Sequence, residues 1–400
     1  MECLSKKCSV KIYDLAVVLM TIKVMLDKLV YINNHGIIDN SLIVLGIGLF
    51  LVSFIFETKH TLVEYIIVGF TGLLCLYASL KMDEFYLLMT FFLVIAAINK
   101  DLAKTVRLMR GVKSVIVAVS VLWYVVALFV FRDTLYIIVR DGRIAHHFGF
   151  SHPNAFALIV GWILLETLYL SYGKYKNWMY VLYPVAGIVL YFFTCCDTIM
   201  YIMFAVTILL VLGRIKSLQN LIHITAQYIF PIIAIVNAFC IRTYMNRSGF
   251  LYEPVRYLDA FLTARIKQAA YIMEHYGTTF FGQEVPMGEK IAYDTYYRLS
   301  TVMCDGLYSY LLVCLGWVFT LIISFVIWNC VRKKKEYSVI AIIYAIYGIL
   351  ETHGSNAFMV YPIFLFAAES LTQLHNKLRA NYEEMENNEN HTGASSGTDL

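Results

Sequence analysis

Residues 114–131 read SVIVAVSVLWYVVALFVF and carry no charged side chain. As an α-helix this run rises about 27 Å, close to the roughly 30 Å hydrocarbon core of a bilayer. Immediately before it stand Lys100, Lys104, Arg107, Arg110 and Lys113. Basic residues beside an apolar span are retained on the cytoplasmic side, so the run reads as a membrane helix that leaves the cytoplasm at Ser114. That orientation sets all the others.

Comparable runs lie at about 12–32, 41–57, 61–81, 84–98, 153–172, 178–194, 198–213, 221–241, 306–331, 337–351 and 355–374. The reading is an all-α fold, a polytopic transmembrane helical bundle of about twelve spans occupying 1–375, with both termini cytoplasmic. Basic clusters fall where the alternation requires them: Lys6, Lys7 and Lys11; Lys174 and Lys176; Arg214 and Lys216; Arg332 to Lys335. The outer loops 33–40 and 81–84 are poor in cations by comparison. Composition agrees. The chain has 400 residues, 60% hydrophobic and only 15% charged, with mean hydropathy +0.67, against about a quarter charged in soluble domains.

The same numbers exclude other classes. A net charge of +4, dispersed in short clusters between apolar runs, is not a nucleic-acid footprint. Nine cysteines show no metal-finger spacing, and Cys195–Cys196 reads as small apolar packing. The first apolar run carries Lys23, Asp27 and Lys28 and lacks a small-residue cleavage site, so it reads as a signal-anchor. No internal repeat points to an inverted-repeat transporter. After about 376 the chain is acidic, then rich in Asn, Ser, Gly and Thr, and 376–400 reads as a disordered cytoplasmic tail.

Two outer segments, 132–152 and 242–305, hold arginines on the side that disfavours them. The first contains Arg140, Arg143, His146, His147 and Ser151-His152-Pro153-Asn154. Arginine grips phosphate oxygens through a planar fork, and histidine exchanges protons near neutrality. Contact with anionic lipid headgroups is the plainer alternative. His146–His147 has no carboxylate or cysteine at ligand spacing, so no metal is expected there. Pro153 suits a first helical turn, with Ser151 or His152 as its cap. In the second segment an amphipathic helix from about Arg256 to Tyr276 places Arg265 on or beside its apolar stripe. A cation there either snorkels or meets an anion such as a lipid pyrophosphate. Asp305 either caps the next span or serves the site, and Glu351 precedes Thr352-His353-Gly354-Ser355-Asn356 on the same side.

Arg143 followed by Phe148-Gly149-Phe150-Ser151-His152-Pro153-Asn154 resembles the R…GF-x-HPN stretch of bacterial polysaccharide polymerases in the O-antigen polymerase/ligase superfamily. Leu262-Thr263-Ala264-Arg265 is similar to their LTGR element, with Ala264 in place of the usual glycine. Asp305-Gly306-Leu307-Tyr308 resembles DN-x-Y, and Glu351 to Asn356 the late E…N stretch. An arginine common near 194–198 is absent, and Asp197 stands there instead.

The resemblance implies a GT-C-like membrane glycosyltransferase, metal-independent and without cofactor, in the cytoplasmic membrane. It would polymerise polyprenyl-pyrophosphate-linked oligosaccharide repeat units into a surface polysaccharide such as a capsule, exopolysaccharide or O-antigen. Arg143, His152 and Arg265 are then expected to be catalytic, with His152 or another outer histidine as base. Arg140, His147, Asn154, Asp305, Tyr308 and Glu351 are expected to bind substrate. The partners implied are the lipid-linked oligosaccharide, membrane lipids, a chain-length regulator and a flippase, and no nucleic acid. A ligase-like glycan transferase and a lipid-linked-oligosaccharide flippase or transporter are the alternative functions.

Overall fold

The computed structural model of the protein describes residues 11–30, 36–82, 84–130, 138–140, 142–294 and 296–395. Arg132, Asp133 and Asp141 of the first arginine-bearing segment lie outside the described residues, as do the amino-terminal lysines 6 and 7. The described residues are mainly helical: α1 (Ile12–Leu26), α2 (Gly36–Glu57), α3 (Leu62–Met82), α4 (Tyr86–Ala96) and α5 (Leu102–Val130) lead to a hairpin of β1 (Ile138–Arg140) and β2 (Arg143–Ala145). Then follow α6 (Pro153–Leu170), α7 (Met179–Thr194), α8 (Asp197–Leu212), α9 (Lys216–Asn246), α10 (Tyr252–Phe261) and α11 (Arg265–Tyr276). A second hairpin, β3 (Lys290–Asp294) and β4 (Leu299–Thr301), precedes α12 (Leu307–Tyr310), α13 (Trp317–Lys333), α14 (Ser338–Leu350) and α15 (Pro362–Ser395).

Among the described residues, five helices are long and apolar enough to cross a membrane: Asn40–Glu57, Leu62–Met82, Leu102–Val130, Pro153–Leu170 and Lys216–Asn246. Helices α4, α7 and α8 are shorter and equally apolar. The outward faces of α3 and α5 show why the molecule belongs in lipid. Leu62, Phe70 and Leu73 on α3, and Val119, Leu122 and Phe129 on α5, are all largely exposed. In water such belts would be aggregation sites; in hydrocarbon they are the wetted surface.

Inside, α1 packs on α2 and α5, α7 on α8, and α9 on α11, α13 and α14. Helix α15 packs on α13 and α4. One ion pair, Lys113 with Glu166, ties α5 to α6 with both side chains fully buried.

Bonds between segments sort into two ends. One end joins Val30 to Gly149 (3.0 Å), Ser151 to Lys28 (2.7 Å), Tyr86 to Asp27 (3.2 Å) and Tyr310 to Glu84 (2.9 Å). The other joins Lys100 to Glu57 (2.7 Å), Lys104 to Asp14, Arg214 to Asn177 (2.8 Å) and Lys334 to Glu369 (2.9 Å). The first set involves segments that the sequence reading expects on the outer side, the second segments it expects on the cytoplasmic side.

Three local features differ from that reading. The single amphipathic helix is two, because Thr263 and Ala264 both take left-handed φ, +53° and +69°. The span expected at 306–331 breaks as well: Leu311–Leu315 forms a π-helical turn, and Gly316 at φ +90° restarts the chain as α13. Segment 279–283 docks into that break, with Trp317 and Val318 N–H bonding the carbonyls of Thr279 and Phe280 at 3.1 Å each. A Cβ on Gly316 would lie 2.5 Å from the Phe280 carbonyl oxygen, so only glycine fits. Finally, α15 continues to Ser395, where a disordered tail was expected after 376. Leu378, Arg379, Ala380, Glu383, Glu384 and Met385 are good helix formers, and Arg379 pairs with Glu383 one turn on (2.9 Å).

Candidate functional site

The break between α10 and α11 is built by its own residues. Ala264 N–H bonds the Asp259 carbonyl (2.8 Å), and the buried Asp259 carboxylate accepts from Lys267 N–H (2.9 Å), which caps α11. Burial pushes the Asp259 carboxyl above its ordinary range. The break leaves Arg265 as the first residue of α11, with its side chain directed across the end of the bundle.

Arg265 is held almost entirely by neutral oxygens. Its Nε donates to the carbonyls of Leu350 (2.7 Å) and Asp305 (2.9 Å), and Nη1 to the Leu262 carbonyl (2.8 Å) and the Thr263 hydroxyl. Nη2 faces Glu351 Oε1 at 3.9 Å, too long for a hydrogen bond. The Thr198 hydroxyl donates to that same oxygen at 3.0 Å, and Leu307 N–H bonds the Glu351 carbonyl at 3.0 Å. One guanidinium thereby gathers the 262–265 break, the Asp305 segment, the Glu351 segment and the first turn of α8. Carbonyl dipoles fix an arginine without cancelling its charge, so the group stays attractive to an anion.

Arg143 lies on β2, exposed, next to the Gly142 turn, and its Cα pairs with that of Arg140 across the hairpin. Its Nη2 donates to the Tyr191 hydroxyl at 2.9 Å, with the guanidinium carbon 5.2 Å from that ring's centroid. Tyr191 closes the last turn of α7, and Thr198 opens α8. The α7–α8 turn at Cys195 and Cys196 is therefore the shared support: Arg143 reaches it through Tyr191, Arg265 through Glu351 and Thr198. His146 N–H bonds the Phe193 carbonyl (2.7 Å) and pins the Arg143 segment to the same end of α7. The side chain of Arg140 lies outside the described residues.

The other expected residues divide. His152 is the cap of α6, its ring Nδ1 accepting from Asn154 N–H at 3.2 Å with Pro153 in the first turn. An accepting Nδ1 places the neutral ring's proton on Nε2, which leaves no lone pair to take a proton from a sugar hydroxyl. Asn154 contributes that backbone donor. His147 is 1% exposed, packed under Tyr124 with its Nδ1 accepting from Gly149 N–H. Tyr308 is 2% exposed, its hydroxyl bonded to the Ala345 carbonyl (2.9 Å) and its ring against Phe230. His147 and Tyr308 thus serve the packing rather than an open site. Asp305 contributes its carbonyl to Arg265.

Sequence reasoning missed Tyr191 and Thr198, and named His353 only as part of the run that follows Glu351. Thr198 lies in the 194–198 stretch where an expected arginine is absent, which was a signal to inspect. His353, between α14 and α15, is held neutral: burial, helped by Lys28, pushes its imidazole down to about 4.

Comparison with protein-family models, with curated proteins and with solved structures found no match.

Proposed function

We propose that the protein is a metal-independent polysaccharide polymerase of the bacterial cytoplasmic membrane, with about twelve spans in a GT-C-like arrangement and both termini in the cytoplasm. Its substrates are polyprenyl-pyrophosphate-linked oligosaccharide repeat units. The observation that carries the reading is Arg265, anchored by carbonyls from three segments while its Nη2 edge stays free of a close hydrogen bond. Arg143 supports it from the same α7–α8 turn.

The chemistry needs little more. A hydroxyl of the acceptor repeat unit attacks the anomeric carbon of the growing chain, and the bond from that carbon to the pyrophosphate oxygen breaks. The glycan moves to the acceptor and polyprenyl pyrophosphate departs as the anion. Its developing charge is what the guanidinium of Arg265, and that of Arg143, would stabilise. The tautomer of His152 argues against it as base. Glu351, a carboxylate beside Arg265 and aligned by Thr198, is the group we assign to receive the hydroxyl proton.

The test is assembly by the purified protein supplied with lipid-pyrophosphate repeat units. A ladder of lengthening glycans is the expected product. Single transfer to a foreign acceptor would mark a ligase, and lipid movement without a new glycosidic bond a flippase; either overturns the proposal.

A further inference from the structure

At the opposite end of the bundle, His60, Glu64 and His375 meet in the interior, each offering a donor atom within 4.8 Å of the other two. His60 lies in the α2–α3 turn, Glu64 in the first turn of α3 and His375 in α15. Their side chains are 0%, 4% and 1% exposed.

The local sequence aims all three. Thr61-Leu62-Val63-Glu64 is a capping box: Glu64 Oε2 accepts from Thr61 N–H at 2.6 Å, and the Thr61 hydroxyl accepts from Glu64 N–H at 3.4 Å. Capping takes one carboxylate oxygen and turns Oε1 toward the histidines. His60 Nε2 is 2.9 Å from the Phe54 carbonyl. A carbonyl only accepts, so Nε2 carries the proton and Nδ1 presents a lone pair to Oε1 at 3.8 Å. His375 Nδ1 meets Oε1 at 2.5 Å, which leaves its Nε2 to find a partner elsewhere. It has none: His60 Nδ1 and His375 Nε2 are both buried without a hydrogen-bond partner.

Two buried nitrogens without partners beside a carboxylate are costly as they stand, since one shared proton satisfies only the His375–Glu64 contact. A cation between Glu64 Oε1, His60 Nδ1 and His375 Nδ1 takes up the unpartnered His60 lone pair and replaces the single shared proton at the carboxylate. Two imidazoles and a carboxylate are a donor set for first-row divalent ions, and a histidine donating its other nitrogen to a backbone carbonyl is the usual way such a ring is oriented. A cavity of about 560 Å³ lined by Glu57, Thr58, Lys59, His60 and Tyr65 gives the turn a route of access. We propose that His60, Glu64 and His375 bind a first-row divalent metal ion, zinc by preference. The ion clasps the α2–α3 turn to α15. Loading at His375 Nδ1 moves the ring proton from Nδ1 to Nε2, so His375 binds as a neutral imidazole with the Glu64 carboxylate ionised.

The test uses the full-length protein in detergent, stripped with chelator and titrated with Zn²⁺, or with Co²⁺ for its visible absorption. Saturable uptake with a rise in Tm is expected for the wild type, and neither for His60→Ala/His375→Ala. Thr61→Ala keeps the three ligands and loosens Glu64, so it should weaken binding about 10–100-fold. Wild-type uptake no greater than that of the double variant, or a Tm indifferent to zinc, overturns the proposal. Should the double variant fail to fold, the wild type decides alone: absence of cobalt ligand-field bands overturns the site, and their presence supports it.

Discussion

The bundle holds its cations in two ways. Lys104, Lys100 and Lys334, at the end bearing Asp14, Glu57 and Glu369, each meet a carboxylate, as do Lys23 and Arg247 elsewhere. Lys113 and Glu166 do the same in the interior. At the other end Arg265 is fixed by carbonyl oxygens and a hydroxyl. Paired charges are scaffold, since each cancels its partner. A cation held by dipoles keeps its field, and that is the difference between a strut and an anion site.

The sharpest way to break this contrast is at the buried pair. Lys113→Met strands Glu166 in the interior and should destabilise the protein by about 3–5 kcal/mol, while adding Glu166→Leu should restore most of the loss. Chemical denaturation in detergent measures both; a Lys113→Met variant as stable as wild type would show that the pair is not ionised. Next is Arg265. Arg265→Ala should lower chain growth about 100- to 1,000-fold and also lower Tm, because three carbonyls lose their donor, and Arg265→Lys should not rescue growth, because three donors cannot span the oxygens that the fork reaches. Initial rates of glycan elongation by purified variants measure this.

His353 sharpens the comparison from another side, because the end that bears Arg265 buries an imidazole held neutral. Its value falls from about 6.5 unfolded to about 4 folded. Between those limits the unfolded chain binds the proton and the folded chain does not. Stability is therefore full above about pH 6.5 and lost as pH falls toward 4, by about 3 kcal/mol in all. A Tm-against-pH profile should be flatter for His353→Gln. The smallest effect is at Ala264, whose φ of +69° strains any side chain. Ala264→Gly should raise stability by about 0.5–1 kcal/mol, visible as a modest rise in Tm.

The apolar runs and their basic flanks made the helices legible, because hydrocarbon selects composition over 18 to 20 consecutive residues. Residues 114–130 of the first run lie within α5, and 178–194 nearly coincides with α7. Short polar motifs showed where Arg265, Asp305 and Glu351 would be found, and these do converge. What the sequence hid was direction. Tyr308 and Asp305 are three residues apart, yet Tyr308 points into the core toward Ala345 while the carbonyl of Asp305 holds Arg265. No periodicity distinguishes these in a four-residue helix that runs into a π-helical turn. His60 and His375 were equally hidden, being separated by most of the chain and joined only by packing of α15 against the start of α3.

The most direct measurement is equilibrium binding of a polyprenyl pyrophosphate to wild-type, Arg265→Ala and Lys100→Ala proteins in detergent. The account predicts that binding weakens sharply for Arg265→Ala and is untouched for Lys100→Ala, whose cation is already paired with Glu57. Equal affinity in wild type and Arg265→Ala would contradict it.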